Sequence, residues 1–432
     1  MTDMAEPWLN DPRLARALAH AQRTEVLQAE SLFRAVLRDH PLCTVALRAV
    51  AAFAVARGDL DAAHGLLSTA TAVAPNDVSL LFEHAQVSSQ MGHIEVARDR
   101  FNALLALDPS HHLAWLCAGD LHQACGDNVA ALRAWYQAIT RAHKAGHWLG
   151  TETTDPSIRD AVLRNIERLR RGRRDHYFES FEVVRAACGS SAVARVERAL
   201  TGYLGEWDAT PPDPRQRPKF LYFPDLPCGP FHDPYLQPWA PRLREAWLDI
   251  RAEAAELLLA DRDFESFLGL KPGQSAAGYV GGTNPKASWD AYFFYRHGVR
   301  LEPQHAQCPT TSAILESIDL CRVDNQAPEV CFSVIRPQST IVAHHGVTNT
   351  RLVMHLPLIV PRDCALNIVN AGTHHWKEGE LMMFDDTYQH EAWNNSDQPR
   401  LIVLMDCWNP HLTVPEQQAV KLLVEAIDSV EN

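Results

Sequence analysis

The chain is long enough for more than one domain, and its charge argues against some classes of partner. It has 432 residues, 46% of them hydrophobic, so we expect two or three domains with cores of their own. The net charge of −13 disfavours a general binder of nucleic acid or other polyanions. The ten cysteines form no CxxC pair, which is typical of reduced thiols and not of a disulfide framework or a zinc site.

The sequence gives no sign of membrane insertion or secretion. It has no run of about 18 uninterrupted apolar residues, and its first residues, MTDMAEPWLNDPR, have the pattern of neither a signal peptide nor an anchor. We therefore expect a soluble, cytoplasmic protein with no membrane partner. In that compartment the sequon from Asn394 to Ser396 does not meet the glycosylation machinery.

The N-terminal third repeats with a period of 34 residues, the period of tetratricopeptide helix-turn-helix units. Two residue types mark it: Pro41, Pro75 and Pro109, and Gly58, Gly92 and Gly126. A small residue also recurs where paired helices must approach closely, and a bulky one follows four positions later: Ala29, Ala63, Ala97 and Ala131, then Phe33, Leu67, Phe101 and Trp135. Each proline follows a second helix and ends it.

These positions predict about four repeats over residues 10 to 145, with imperfect first and last units as end caps. Such repeats resemble peptide-binding scaffolds, and their groove is a candidate surface for recruiting a substrate. Packing alone also explains every repeated residue, so the sequence leaves this role open.

Residues 146 to 208 are predicted to be a helical connector. Apolar positions recur there at helical spacing, and six arginines lie between Arg164 and Arg174. We interpret these arginines as a solvated or interdomain helix face, because no nucleic-acid motif accompanies them in an acidic chain. The proline-rich stretch from 209 to 218 is predicted to be an extended segment at the boundary between the connector and the next domain.

The last part of the chain, residues 209 to 432, has the pattern of a β domain. From Thr340 to Trp408, short β-rich runs alternate with turn-forming stretches, as in an all-β sandwich or barrel. His344, His355 and His390 then fall in or beside strands and can converge in a barrel mouth. Taken singly, each histidine is more simply a core or surface residue.

His344 and His390 together suggest an iron site that lacks a protein carboxylate. Non-haem Fe(II) oxygenases commonly use two histidines and one carboxylate and leave positions open for cosubstrate and oxygen. Here the slot two residues after the first histidine is Gly346. Either the site is a two-histidine variant, or it is not an iron site.

The spaced motifs of this region resemble the aspartyl/asparaginyl β-hydroxylase family of Fe(II)- and 2-oxoglutarate-dependent oxygenases. The resemblance covers about half of the chain, roughly residues 205 to 415. Its residues include the segment Arg217 to Pro227, Asp233-Pro234, Pro238-Trp239, Phe332-Ser333, His344, Gly346, Thr348-Asn349, Arg351-Leu352, Met354-His355-Leu356, Trp376, Glu378-Gly379, Phe384-Asp385-Asp386, His390-Glu391, Trp393, Arg400, Asp406, Trp408 and Pro410.

The resemblance implies a role for particular residues of this chain. His344 and His390 would bind iron, and Arg400 with Ser333 would hold the distal carboxylate of 2-oxoglutarate. An arginine fork pairs well with a carboxylate, and a hydroxyl adds a third bond. His355 and Trp289 match positions that line the cosubstrate pocket in relatives, and Arg351 would lie nearer the substrate.

Two positions depart from the family pattern. Val353 stands where many relatives have an arginine, and Ala291 where some have a polar substrate contact. The iron chemistry does not depend on either residue. The usual Asp or Asn substrate does depend on such contacts, so these positions bear on substrate identity.

Several site residues also have a simpler structural explanation. Arg400 would end a strand and pair with Asp385 or Asp397 on the surface, and Ser333 would be an ordinary strand hydroxyl. Asp385 and Asp386 would form a turn before His390 and are interpreted as turn or supporting residues, not as metal ligands.

The sequence therefore predicts a multidomain α + β protein with a tetratricopeptide solenoid before a double-stranded β-helix, or jelly roll. The activity that the family resemblance implies is hydroxylation of an unactivated carbon with Fe(II), O2 and 2-oxoglutarate, on the β-carbon of an Asp or Asn residue in a peptide or protein. Three alternatives stay open: a free or carrier-bound amino-acid or acyl substrate, halogenation, and a repeat-based binding protein with an inactive oxygenase domain.

Overall fold

The computed structural model describes residues 8–260, 263–269, 276, 278–282 and 287–432. Within these residues the chain forms two compact units with a boundary after Arg173, and the last residues, Asp428–Asn432, belong to the first unit. None of the described helices is both long and apolar enough to cross a membrane. None of the ten cysteines, all of which are among the described residues, forms a disulfide bond.

Eight helices form four consecutive antiparallel pairs in the first unit. They are α1 (Pro12–Gln22), α2 (Val26–Asp39), α3 (Thr44–Ala56), α4 (Leu60–Val73), α5 (Val78–Gln90), α6 (Ile94–Leu107), α7 (His112–Ala124) and α8 (Asn128–Lys144). The 34-residue prediction of four helix pairs is confirmed. In the second, third and fourth pairs, the turn between the helices contains the periodic glycine in the left-handed region, with φ values of 78° at Gly58, 76° at Gly92 and 79° at Gly126.

The repeated small and bulky residues form the interior of this unit. The four periodic alanines are all fully buried, and the bulky residue four positions after each is at most 2% exposed. Gly119 of α7 is also a small residue at a close contact between paired helices, because a Cβ added there would overlap the indole of Trp135 in α8. Close approach of paired helices therefore fixes the residue size at these positions.

The predicted connector is helical, as its periodicity indicated. It contains a short 3-10 turn (Thr151–Thr153) followed by α9 (Arg159–Ser180), α10 (Glu182–Cys188) and α11 (Ala194–Tyr203). Arginines of α9 form surface ion pairs, for example Arg170 with Glu167 at 2.9 Å and Arg174 with Glu206 at 2.7 Å. These contacts agree with a solvated, charge-paired helix face.

The second unit is built from two antiparallel sheets. Its strands are β1 (Phe231–His232), β2 (Glu265–Ser266), β3 (Val280–Gly282), β4 (Trp289–Arg296), β5 (Val299–Arg300), β6 (Val330–Ile335), β7 (Ser339–His344), β8 (Arg351–Ile359), β9 (Cys364–Ile368), β10 (Gly372–His374), β11 (Met382–Phe384), β12 (His390–Asn394) and β13 (Arg400–Trp408). Its helices are α12 (Ala240–Glu245), α13 (Trp247–Ala260), α14 (Glu302–Gln307), α15 (Pro309–Glu316) and α16 (Val414–Glu431), the last of which ends in the residues of the first unit.

From β6 to β13 the chain passes back and forth between the sheets, with only β9 and β10 as consecutive strands of one sheet, as expected for the predicted jelly roll. The larger sheet has the order β1-β11-β8-β13-β6-β4-β2, with β5 paired to β4, and the smaller sheet has the order β10-β9-β12-β7-β3. One apolar core lies between the larger sheet and helices that include α13 and α15. A second core, with Ile341 and Leu366 from the smaller sheet and Val353 from the larger, joins the two sheets.

The proline-rich segment and the residues after it pack against the strands near the two histidines. Residues 209–218 contain no helix and no extended strand, as predicted, but Gln216 forms a bridge with Tyr388. Further on, Leu221 pairs with Thr348, and the Phe223 backbone exchanges hydrogen bonds with the Asn349 side chain at 2.7 and 2.8 Å. This segment therefore supports the two turns that flank the candidate site.

Candidate active site

A cavity of about 200 Å³ lies between the two sheets and contains the residues singled out from the sequence. All seven of them line it: Trp289, Ser333, His344, Arg351, His355, His390 and Arg400. They come from β4, β6, β7, β8, β12 and β13, and strand alternation directs them to one space. Val353 also lines the cavity, whereas Ala291 does not and is buried beside Phe293 and Cys331.

The two predicted iron ligands are direct neighbours across a strand pair. His344 at the end of β7 is the register partner of His390 at the start of β12, and their ring centroids are 4.2 Å apart. His344 Nδ1 donates to the Val342 carbonyl at 2.8 Å, and His390 Nδ1 donates to the Tyr388 carbonyl at 2.9 Å. A carbonyl oxygen only accepts, so Nδ1 is protonated in each ring and Nε2 has the lone pair.

Burial keeps both rings neutral. It lowers the pKa of His344, and it lowers that of His390 to about 3 with a further contribution from His344. Neutral imidazoles with Nε2 lone pairs are the form that binds Fe(II). The adjacent His345 does not line the cavity.

No protein carboxylate occupies the third position of a facial triad from residue 346. A Cβ added to Gly346 would overlap the carboxyl group of Asp386, so this carboxyl group fills the space next to the glycine. Asp386 lies on the turn before His390, and burial raises its pKa to about 7. Among the described residues, no group of three or more His, Cys, Asp or Glu side chains is arranged to hold a metal ion.

One end of the cavity presents a buried guanidinium without an acidic partner. Arg400 is 2% exposed, its Nε has no hydrogen-bond partner, and within the described chain no carboxylate pairs with it. Its guanidinium lies over the Trp376 ring at 4.7 Å, and burial lowers its pKa to about 10. The surface ion pair with Asp385 or Asp397 is therefore wrong, because Arg400 begins β13 inside the cavity.

Two further hydrogen-bond donors accompany Arg400. His355 Nδ1 accepts from Trp376 Nε1 at 3.2 Å, so the neutral ring carries its proton on Nε2, a buried atom with no partner. Ser333 Oγ accepts from Trp289 Nε1 at 2.9 Å, which leaves its hydroxyl proton available. All three residues line the same cavity, and donors of these kinds are the complement of a carboxylate.

The opposite end of the cavity contains charged residues that pair with one another. Arg351 Nη1 lies 3.1 Å from Asp406 Oδ2, and the backbone N–H of Glu329 donates to the same oxygen at 2.9 Å. Burial raises the pKa of Glu329 to about 7.

Sequence reasoning missed Glu329 and Phe267 as lining residues. Strand alternation could have identified Glu329, because it lies directly before β6 and four positions before Ser333, and so on the same face. Phe267 stacks on Trp289 with centroids 3.7 Å apart, but it lies in a region without a strand pattern.

Asp385 has the turn role that the sequence suggested. Its carboxylate accepts from the Thr387 backbone at 2.9 Å and from Gln216 Nε2 at 2.7 Å, so it fixes the turn before His390 to the proline-rich segment.

Comparison with known proteins identifies both parts of the chain. The family described as aspartyl/asparaginyl beta-hydroxylase matches residues 244–410, and a tetratricopeptide repeat family matches residues 82–147. In sequence order, tetratricopeptide repeats thus precede a domain that is similar to this hydroxylase family.

Curated relatives share this domain over about half of the chain. Aspartate beta-hydroxylase domain-containing protein 2 of Mus musculus is 29% identical over 48% of this chain and 59% of its own length. Ornithine lipid ester-linked acyl 2-hydroxylase of Rhizobium tropici is 31% identical over 44% of this chain and 64% of its own length. The chain therefore spans less than two thirds of these relatives. A crystal structure of MamA protein is similar over 37% of this chain and 89% of MamA, with a TM-score of 0.29 and 12% identity.

Proposed function

We propose that the protein is an Fe(II)- and 2-oxoglutarate-dependent dioxygenase that hydroxylates an unactivated carbon, with the β-carbon of an Asp or Asn residue in a peptide or protein as its target. The observation that carries this proposal is the pairing of two features in one cavity. A pair of neutral histidines presents Nε2 lone pairs, and Arg400, His355 and Ser333 present three donors that lack an acidic partner.

His344 and His390 would hold the metal. Their Nδ1 hydrogen bonds to backbone carbonyls fix the orientation of both rings, as is usual for metal-bound histidines. Bound Fe(II) supplies the activation of O2, which is coupled to conversion of 2-oxoglutarate to succinate and CO2, with one oxygen atom entering succinate and the other the substrate C–H bond.

Arg400, His355 and Ser333 would bind the distal carboxylate of 2-oxoglutarate. The Arg400 guanidinium supplies charge, the His355 Nε2–H and the Ser333 hydroxyl supply hydrogen bonds, and burial excludes water that would weaken them. Trp289 fixes the Ser333 hydroxyl, and Trp376 fixes the His355 ring. The cosubstrate would thereby be oriented before the substrate arrives.

An acyl or carrier-bound amino-acid substrate is the second candidate. The acyl 2-hydroxylase relative and the apolar side chains of Val353, Ile402 and Leu404 along the cavity favour it. Halogenation is disfavoured, because the Asp386 carboxyl group already fills the space beside Gly346. A role limited to binding does not explain why the cosubstrate donors and the histidine pair are both present.

The test is metal binding and 2-oxoglutarate turnover by the full chain. We expect Fe(II)-dependent formation of succinate and a +16 Da product in peptides from a matched lysate. His344→Ala and His390→Ala should each abolish Fe(II) binding and succinate formation, since a site with two protein ligands has none to spare. His345→Ala is the matched control, because this neighbour lies outside the cavity. Normal turnover by folded His344→Ala or His390→Ala protein would contradict the proposal.

A further inference from the structure

The cavity has two chemically different ends, set by alternation along β13. Arg400, Ile402, Leu404 and Asp406 occupy every second position of this strand, and all four line the cavity. At about 3.3 Å per residue, Arg400 and Asp406 are on the order of 20 Å apart along the strand. Arg400 and Ser333 lie toward one end, His355 is the register partner of Leu404 nearer the middle, and the Asp406 end remains for the substrate.

Carboxyl groups outnumber cations at the Asp406 end. Glu329, Asp386 and Asp406 line it, and Arg351 is the single Lys or Arg among the described residues that line this end. Asp406 already offsets the charge of Arg351 through their 3.1 Å ion pair. The exposed His297 imidazole lies 2.8 Å from Glu329 Oε1, but desolvation, Arg296 and Arg351 all lower the pKa of His297, which disfavours its charged form.

The residue facing Asp406 adds no charge either. Val353 on β8 is the register partner of Asp406, and it lines the cavity as an apolar side chain. A substrate carboxylate at this end would therefore meet one arginine that is already paired and an excess of acidic groups. Leaving a buried charge without compensation is costly.

Acceptors at this end, by contrast, remain available to a ligand. Asp386 Oδ1 is a buried oxygen without a hydrogen-bond partner. The cavity is a ligand site on separate grounds, because His355 Nε2 and Arg400 Nε, both on side chains at most 3% exposed, also have no partner. An N–H donor on the substrate would satisfy an acceptor that the protein leaves unpaired.

We propose that the hydroxylated carbon bears an N–H donor group, either a carboxamide or an aminomethyl group whose nitrogen is an ammonium, and not a carboxylate, and that Glu329 and Val353 determine this preference. The inference rests on the proposed dioxygenase function and narrows its substrate class. The shared chemistry is an N–H donor. An amide would donate a hydrogen bond without adding charge. An ammonium would donate one too, and the excess of carboxyl groups would also attract its charge.

Three matched peptide libraries test this preference with the full chain, Fe(II) and 2-oxoglutarate. Their flanking residues are randomised in the same way, and the central residue is Asn, Asp or 2,4-diaminobutyrate. The assay is run at pH 8, above the pKa of about 7 that burial gives Glu329. We expect initial rates of +16 Da product with Asn or diaminobutyrate that exceed the rate with Asp by on the order of tenfold or more. A rate with Asp equal to or above both others overturns the inference.

Variants test whether the named residues cause the preference. Val353→Arg places a cation opposite Asp406 and should shift the rate ratio toward Asp by on the order of tenfold. Glu329→Gln should shift it in the same direction. Val299→Arg, on the exposed part of β5, is the matched control and should leave the ratio unchanged. An unchanged ratio in both folded cavity variants contradicts the assignment of these residues.

Failure of the inference can be distinguished from failure of the proposed function. If no library is hydroxylated while the protein still converts 2-oxoglutarate to succinate without substrate, the substrate inference is wrong and the dioxygenase proposal stands. If the wild-type chain neither binds Fe(II) nor converts 2-oxoglutarate, both are wrong.

Discussion

The carboxyl group of Asp386 occupies the space that any side chain at Gly346 would need. A Cβ on Gly346 would overlap Cγ and both carboxyl oxygens of Asp386. The two residues are also joined by a backbone hydrogen bond, from Gly346 N to Asp386 O at 2.6 Å. The glycine two residues after His344 is therefore required by packing, and the turn before His390 is fitted to it.

This relationship predicts that Gly346→Ala disturbs the candidate metal site. The methyl group would displace the Asp386 carboxyl group and the adjoining turn, so we expect a loss of about 1–3 kcal/mol in the free energy of unfolding and weaker Fe(II) binding. Urea denaturation and metal titration measure the two effects.

A double-mutant cycle tests the cause of that loss. Asp386→Gly removes the overlapping group, so the unfolding cost of Gly346→Ala should be smaller in the Asp386→Gly background by about 1 kcal/mol or more. Additive effects of the two substitutions would show that the overlap is not the cause.

Arg400→Ala should weaken 2-oxoglutarate binding while Fe(II) binding survives. Loss of one charge-assisted pair costs roughly 1.5–3 kcal/mol, which corresponds to on the order of tenfold to a hundredfold in the concentration of 2-oxoglutarate required. The 2-oxoglutarate requirement of Arg400→Lys should lie between those of the wild type and Arg400→Ala, because an ammonium keeps the charge but cannot form the bidentate pair. Arg362→Ala, at an exposed position outside the cavity lining, is the control. An unchanged 2-oxoglutarate requirement in folded Arg400→Ala protein would remove this residue from the cosubstrate site.

Gly119 and Gly65 form a matched pair for the packing of the repeats. Both lie inside helices, but a Cβ at Gly119 would overlap the buried Trp135 indole, whereas a Cβ at Gly65 would meet open space. Gly119→Ala should destabilise the protein by about 1–3 kcal/mol, because the core is overpacked. Gly65→Ala should stabilise it by about 0.5–1 kcal/mol through helix propensity. Thermal unfolding distinguishes the two, and equal effects would exclude close packing as the reason for Gly119.

His84 should make the repeats sensitive to acid. It is 1% exposed on α5, and burial lowers its pKa to about 4, with further contributions from Arg100 and His64. The unfolded chain binds a proton near pH 6.5 and the folded chain only near pH 4. Stability is therefore full above about pH 6.5 and falls between these values by at most about 1.4 kcal/mol per pH unit.

The measurement is the free energy of unfolding at pH 7.5, 6.0 and 5.0. His84→Gln should reduce its slope with pH, whatever its effect on absolute stability, and His143→Gln, at an exposed position, should not. The same slope in wild-type and His84→Gln protein would locate the titrating group elsewhere.

The sequence by itself determined the modules and most of the site. The 34-residue period fixed the helix pairs because each repeat packs only on its neighbours, so a local pattern repeats with the structure. The strand pattern placed His344, His355 and His390 in or beside strands, whereas Arg400, Ser333, Trp289 and Arg351 were identified through the family resemblance. All seven residues line one cavity. Strand alternation is also a local property, because the positions along one strand decide which of its side chains share a face of the sheet.

Only the tertiary structure decided how these residues are used. The proton positions of His344 and His390 depend on carbonyls that face the rings, and the pairing of Arg351 with Asp406 depends on two strand ends far apart in sequence. The contact of Asp386 with Gly346 and the stacking of Phe267 on Trp289 also join residues from separate segments. These contacts arise from the packing of separate strands and loops, and no periodicity or spacing within one segment encodes which distant side chain completes them.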